Sequence, residues 1–129
     1  MVKLILVTHG NMAKAMLNTA AKIYPFDKKS VAVFTVSGRM DLRRTAARIK
    51  KKLSSQGALI MTDIFGGTAC NMSAGAAHGV KDAHVLCGLN LNMLLTALSY
   101  REKLNSAALA EKAREAGAKG LFNVTEKLK

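Results

Sequence analysis

The sequence lacks the residues that mark disulfide-rich, metal-binding or base-stacking proteins. Its 129 residues contain no tryptophan, one proline and two cysteines. Cys70 and Cys87 do not have the spacing of a CxxC pair, and the N-terminus shows no export signal. Such cysteines are expected to be reduced thiols. We therefore expect neither a disulfide nor a metal site.

Long hydrophobic runs are also absent. No apolar stretch reaches the roughly 18 residues that a membrane-spanning helix needs. The first residues lack the charged lead, long apolar region and small-residue cleavage site of a secretion signal. The sequence therefore predicts a cytoplasmic protein.

Acidic residues are scarce, with eight against 20 basic ones, so that the formal net charge is +12. This charge favours negatively charged partners without indicating a fold. The densest basic run, "RMDLRRTAARIKKK" at 39–52, has apolar residues at helical spacing, and most of its cations are expected on a solvated helix face. Because aromatic residues make up only 5% of the chain, nucleic-acid binding is the less favoured interpretation.

Half of the residues are hydrophobic, which is enough for one domain over 1–129. Short apolar runs predict strands at 3–8, 30–36, 58–62 and 83–88, and helical patterns cover 11–23, 40–55, 68–78, 91–103 and 106–116. This alternation predicts an α/β fold, a three-layer αβα structure with a four-stranded parallel sheet. The stretch "GLFNV" at 120–124 is a candidate fifth edge strand or a docking arm.

Polar residues and glycines follow every predicted strand. His9 follows the first strand, Ser37 the second and Asp63 the third. Because the carboxyl ends of parallel strands meet at one edge of a sheet, where open α/β folds bind ligands, we expect these residues to share a site.

The loop "DIFGGTACN" at 63–71 leads from the third strand into a helix. Gly66 and Gly67 free the backbone, and Thr68 is expected to be the helix N-cap. Unsatisfied amides and the positive end of the helix dipole suit a phosphoryl group. An ordinary glycine turn into a capped helix explains the same residues, and the loop is neither a Walker A sequence nor GxGxxG.

His9 is the histidine that ends a predicted strand at this edge, whereas His78 is expected to end a helix and His84 to begin a strand. An imidazole acts as a nucleophile through one nitrogen when a carboxylate orients the other. Asp63 is a candidate for that carboxylate, although it is equally suited to accept amides of its own turn. Together with the glycine-rich loop, the pair favours phosphoryl transfer over hydrolysis.

The segments "THG", "TDIFGGTACN" and "GLNLNMLL" together resemble the enzyme IIA component of the mannose/fructose/sorbose class of bacterial sugar phosphotransferase systems. The resemblance implies that His9 accepts a phosphoryl group from the histidine-containing phosphocarrier protein and passes it to enzyme IIB, with sugar uptake carried out by membrane components. It implies that Asp63 orients the imidazole. Gly66, Gly67 and Thr68 would surround the phosphoryl group. Ser37, which follows the second strand at the same edge, is a further candidate to bind the phosphate.

The resemblance also implies a homodimer in which an antiparallel strand, here "GLFNV", is exchanged between protomers, and it implies no cofactor. Two positions depart from the family pattern, because Ala69 and Asn92 stand where relatives often have proline. The high positive charge is a further departure. Candidates for partner docking are Arg39, Arg43 and Arg44, for which simple solvation is the alternative. A regulatory module of the same fold that binds an acidic partner is the alternative function.

Overall fold

The computed structural model describes all residues from Met1 to Lys129. The strands are β1 (Lys3–His9), β2 (Val31–Val36), β3 (Ala58–Thr62) and β4 (Ala83–Leu86). The helices are α1 (Met12–Ile23), α2 (Leu42–Lys52), α3 (Thr68–Ala77), α4 (Leu91–Tyr100), α5 (Ser106–Lys119) and α6 (Val124–Lys127), with a 3-10 turn at Lys28–Ser30. The four strands and the first five helices confirm the predicted order.

The strands form one parallel sheet in the order β2-β1-β3-β4, as predicted. β1 lies in the middle, where Val7 pairs with Phe34 of β2 and with Thr62 of β3. β1 and β3 are continuous apolar runs because helices cover both faces of the sheet. Every residue of β3 is buried.

Alternate residues of the central strands point into two separate cores, because successive side chains of a strand face opposite sides. Leu4 and Leu6 pack with α1, α4 and α5 on one face. Ile5 and Val7 pack with residues of α2 and α3 on the other. The molecule thus has the predicted three layers, and β1 enters both cores.

Side-chain caps fix where several helices begin. Asp41 accepts a hydrogen bond from the Arg44 amide at the start of α2, and Asn90 accepts one from the Met93 amide at the start of α4. The Asn90 side-chain amide also donates to the Gly117 carbonyl, at 3.0 Å. The asparagine in "GLNLN" therefore joins α4 to α5.

The chain forms no fifth strand at "GLFNV", and that expectation is corrected for the single chain. Residues 121–123 have no regular structure, and α6 begins at Val124. The physical reason is local, since the Asn123 side chain accepts from the Thr125 and Glu126 amides and starts a helical turn. Exchange of this segment between protomers stays a prediction.

None of the helices combines the length and the apolar character that crossing a bilayer demands.

Candidate functional site

The carboxyl edge of the sheet has its topological switch point between β1 and β3. The helix that follows β1 covers one face of the sheet, and the helix that follows β3 covers the other. Loops that diverge in this way leave a crevice where open α/β folds bind ligands. His9 is the last residue of β1 and Asp63 follows the last residue of β3, so the crevice lies between them.

Asp63 holds His9 at two points. Its Oδ2 accepts from the His9 backbone N–H and from ring Nδ1, both at 2.8 Å. Its Oδ1 accepts from the backbone N–H of Ile64, at 2.9 Å. The aspartate side chain is 11% exposed and the histidine side chain 48%. The pair therefore turns a fixed, half-exposed imidazole toward the crevice, with Nε2 free of protein partners.

The carboxyl group of Asp63 is held in its charged form. Burial raises its pKa, but hydrogen bonds from the His9 backbone, the His9 ring and the Ile64 amide outweigh burial and lower the pKa below its usual value. Because a carboxylate only accepts hydrogen bonds, the proton of a neutral His9 ring lies on Nδ1. The lone pair on Nε2 is then available to an electrophile.

The loop after β3 brings a helix N-terminus to the same place. Gly66 has a φ of +79°, which glycine adopts at little cost. The N-cap of α3 is Gly67, so the expectation that Thr68 caps the helix is wrong by one position; Thr68 is the first helical residue. The extended φ and ψ of Gly67 set this boundary. The backbone N–H groups of Thr68, Ala69 and Cys70 donate to no protein group.

Gly67 also lies against the histidine ring. A Cβ added at this glycine would be 3.4 Å from His9 Cε1 and 2.9 Å from a methyl carbon of Ile64. A larger residue would therefore displace Ile64 or crowd the ring. The glycine lets the loop backbone approach the imidazole closely.

A pocket of about 290 Å³ opens beside His9. Its walls are His9, Val36, Ser37, Gly38, Met40, Leu42 and Thr68. The structure thus brings Ser37 and Thr68 together with His9, as expected for residues that follow parallel strands at one edge of the sheet. Met40 and Leu42 are functional candidates that the sequence reasoning missed. The Ser37 amide donates to the Met40 sulfur at 3.3 Å, and this contact folds the loop toward the site.

The predicted docking arginines lie outside this pocket. Arg39, Arg43 and Arg44 are exposed on the loop before α2 and on its first turn. Arg43 lines a neighbouring groove together with Thr68. The other two histidines do not line this pocket. His78 follows α3, and His84 is half-buried within β4.

The assembled site suits an anionic group that is placed next to His9 Nε2. Thr68 lines the pocket beside His9, so the N-terminus of α3, with its three unpaired amides and its positive dipole end, lies at the crevice. A carboxylate supports the opposite side of the ring, where it stabilises positive charge on the imidazole. This combination fits the formation of a bond between Nε2 and an electrophilic phosphorus.

Comparisons with known proteins find a family model and relatives that cover most of the chain. The model of the family described as "PTS system fructose IIA component" matches residues 3–114. The chain is 29% identical over 107 residues to the fructose-specific EIIA component of the PTS system of Bacillus subtilis, covering 81% of this chain and 73% of that protein.

Solved structures have the same fold. The phosphotransferase system component EIIA from Streptococcus agalactiae superposes with a TM-score of 0.88 at 25% identity, covering 98% of this chain and 99% of that one. The mannose/sorbose-specific IIA subunit from Enterococcus faecalis has a TM-score of 0.80 at 27% identity, covering 95% and 93%.

Proposed function

This chain belongs to the family of fructose IIA components of the phosphotransferase system. We propose that it is a phosphocarrier and that His9 is the residue that carries the phosphoryl group. Members of the family are phosphotransferase components, and a phosphocarrier needs a nucleophile that accepts the group and releases it again. The observation that carries the proposal is the 2.8 Å hydrogen bond from His9 Nδ1 to Asp63. It directs Nε2 to the crevice.

Phosphoryl transfer to His9 proceeds in line. Nε2 attacks phosphorus, a P–N bond forms, and the bond from phosphorus to the ring nitrogen of the donor histidine breaks as its electron pair returns to the donor. The His9 ring keeps its Nδ1 proton and becomes positively charged, and the Asp63 carboxylate stabilises that charge. No net proton is taken up or released in this step, and the same step run in reverse passes the group to an acceptor.

The phosphoryl oxygens bind to the loop and to the start of α3. The free amides of Thr68, Ala69 and Cys70 are the donors, with the Thr68 and Ser37 hydroxyl groups beside them and Gly66 and Gly67 keeping the loop close. Ala69 contributes an N–H, which a proline at this position would lack. Fixed amides stabilise the charge that spreads over the oxygens in the transition state.

The exchange partners of this site are the histidine-containing phosphocarrier protein as donor and enzyme IIB as acceptor. Arg39, Arg43 and Arg44 contact these partners, because they are exposed next to the His9 pocket. Sugar transport itself belongs to membrane components that this chain meets only through enzyme IIB. A homodimer, with the C-terminal segment exchanged, is the expected assembly.

A labelling experiment tests the relay. The protein is incubated with phosphoenolpyruvate, enzyme I and the phosphocarrier protein of the source organism, and phosphohistidine is measured by intact mass in alkali. One phosphoryl group per chain is expected, lost when unlabelled enzyme IIB is added. His9→Ala should abolish the label, while the matched control His78→Ala should keep it.

Absence of label on the wild-type chain, with a carrier that is active on another acceptor, would refute the proposal. That result would favour the regulatory module instead.

A further inference from the structure

A groove runs from the His9 pocket along the line where α2 meets α3. Leu42 and Thr68 line both the pocket and the groove. Ala46, Met72 and Gly75 continue the groove away from His9, and it encloses about 370 Å³. The groove is therefore a continuation of the candidate site rather than a separate surface.

Gly75 keeps the groove open. It lies within α3, where glycine is less favourable than alanine because its backbone loses more conformational entropy when the helix forms. A Cβ added at Gly75 would meet nothing within 4 Å. Packing inside this chain therefore does not require a glycine here, and the glycine leaves this wall of the groove without a side chain.

The rim of the groove on the α2 side is strongly basic. The cations of α2 are Arg43, Arg44, Arg48, Lys50, Lys51 and Lys52, and the helix contains no acidic residue. None of them is in an ion pair within the chain. Arg43 lines the groove, and Lys50, seven residues later, lies on the same side of the helix. The rim thus presents uncompensated positive charge beside an apolar floor.

Building on the proposed function, we infer that this groove is the docking cleft for an acidic segment of the protein that exchanges the phosphoryl group with His9. One apolar side chain of that segment enters between Leu42, Ala46 and Gly75. Carboxylates on either side of it face Arg43 and Lys50. The continuity with the His9 pocket aligns the bound partner with Nε2.

This docking mode has a kinetic signature. Opposite charges across an interface act mainly on encounter and specificity, so the charges of α2 should set KM and its salt dependence. The chemical step depends on His9 and Asp63, and none of Gly75, Arg43 and Lys50 is among the residues that line the His9 pocket. Loss of the groove should therefore raise KM and leave kcat unchanged.

Two variants test the groove separately from the chemistry. Gly75→Leu fills it, and Arg43→Glu with Lys50→Glu reverses its rim. Matched controls are Ala74→Leu on the exposed side of α3 and Lys29→Glu with Lys81→Glu at the amino end of the sheet. Phosphoryl transfer is measured against the concentration of the phosphorylated carrier and, in the other direction, of enzyme IIB, at two salt concentrations. Circular dichroism melts confirm folding of each variant.

We expect KM to rise about tenfold or more for both groove variants with at least one of the two partners. The controls should stay within about twofold. The charge reversal should also flatten the salt dependence.

Wild-type KM values for both groove variants with both partners would overturn the docking cleft while leaving the relay intact. A wild-type chain that takes no label from an active carrier would instead overturn the proposed function. Loss of binding to a duplex DNA probe by the charge reversal, with KM unchanged, would assign the basic face to nucleic acid and also overturn the cleft.

Discussion

Replacing Asp63 by asparagine removes the negative charge behind His9 and leaves the volume of the side chain nearly unchanged. The carboxylate accepts from the His9 amide and from Nδ1, both at 2.8 Å, and its other oxygen accepts from the Ile64 amide. An asparagine has one acceptor oxygen for these three donors, and its NH₂ group donates where the carboxylate accepted. The Nδ1–H tautomer and the positive ring of the proposed phosphorylated state both lose the carboxylate that stabilises them.

A hydrogen bond to a charged group contributes about 1.5–3 kcal/mol. If this stabilisation is present mainly in the transition state, the rate of phosphorylation should fall by roughly 10- to 150-fold. The loss should be in kcat, because Asp63 is 11% exposed and lies behind the ring, away from a docked partner.

Rapid-quench labelling at saturating phosphorylated carrier measures this rate directly. Asp27→Asn is the matched control, since that carboxylate caps the 3-10 turn far from His9, accepting from the Lys29 amide. A rate for Asp63→Asn within about twofold of wild type would refute the orienting role of the carboxylate.

Two further predictions concern stability. Gly57 has a φ of +95°, and an added Cβ would be 2.7 Å from Ser106 Cβ. Gly57→Ala should therefore lower the free energy of unfolding by about 2–4 kcal/mol in urea melts. The control is Gly38→Ala, whose Cβ meets no atom within 4 Å and which should lower it by less than about 0.5 kcal/mol. Because the pKa of Asp63 is lowered in the folded protein, the stability that its ionisation contributes is present above about pH 4 and is lost as the pH falls through the lowered value. Urea melts of wild type and Asp63→Asn from about pH 6 to pH 3 should therefore converge, and a difference that widens toward acid would contradict the assigned hydrogen bonds.

The strands and the edge where the site lies could be predicted from the sequence because both depend on short-range patterns. The apolar run of β1 ends at His9, and the parallel arrangement then brings His9 and Asp63 to the same edge of the sheet. The hydrogen bonds between them follow from the adjacency of β1 and β3 in the sheet.

Other features depend on contacts that a linear pattern does not contain. Met40 and Leu42 reach the pocket because the loop after β2 folds back. A hydrogen bond from the Ser37 amide to the Met40 sulfur holds this fold of the loop. The shift of the α3 cap from Thr68 to Gly67 depends on the backbone angles of one glycine. The groove beside Gly75 exists only because α2 and α3 pack next to each other, which their separate helical patterns do not reveal.

The central claim is that Asp63 holds the His9 ring so that Nε2 carries the phosphoryl group. Nitrogen-15 and phosphorus-31 NMR of the phosphorylated, histidine-labelled protein tests it most directly. The structure predicts one phosphohistidine, with the phosphorus coupled to Nε2 of His9 and Nδ1 still protonated. Phosphorus coupled to Nδ1 of His9, or to the ring of His78 or His84, would contradict it.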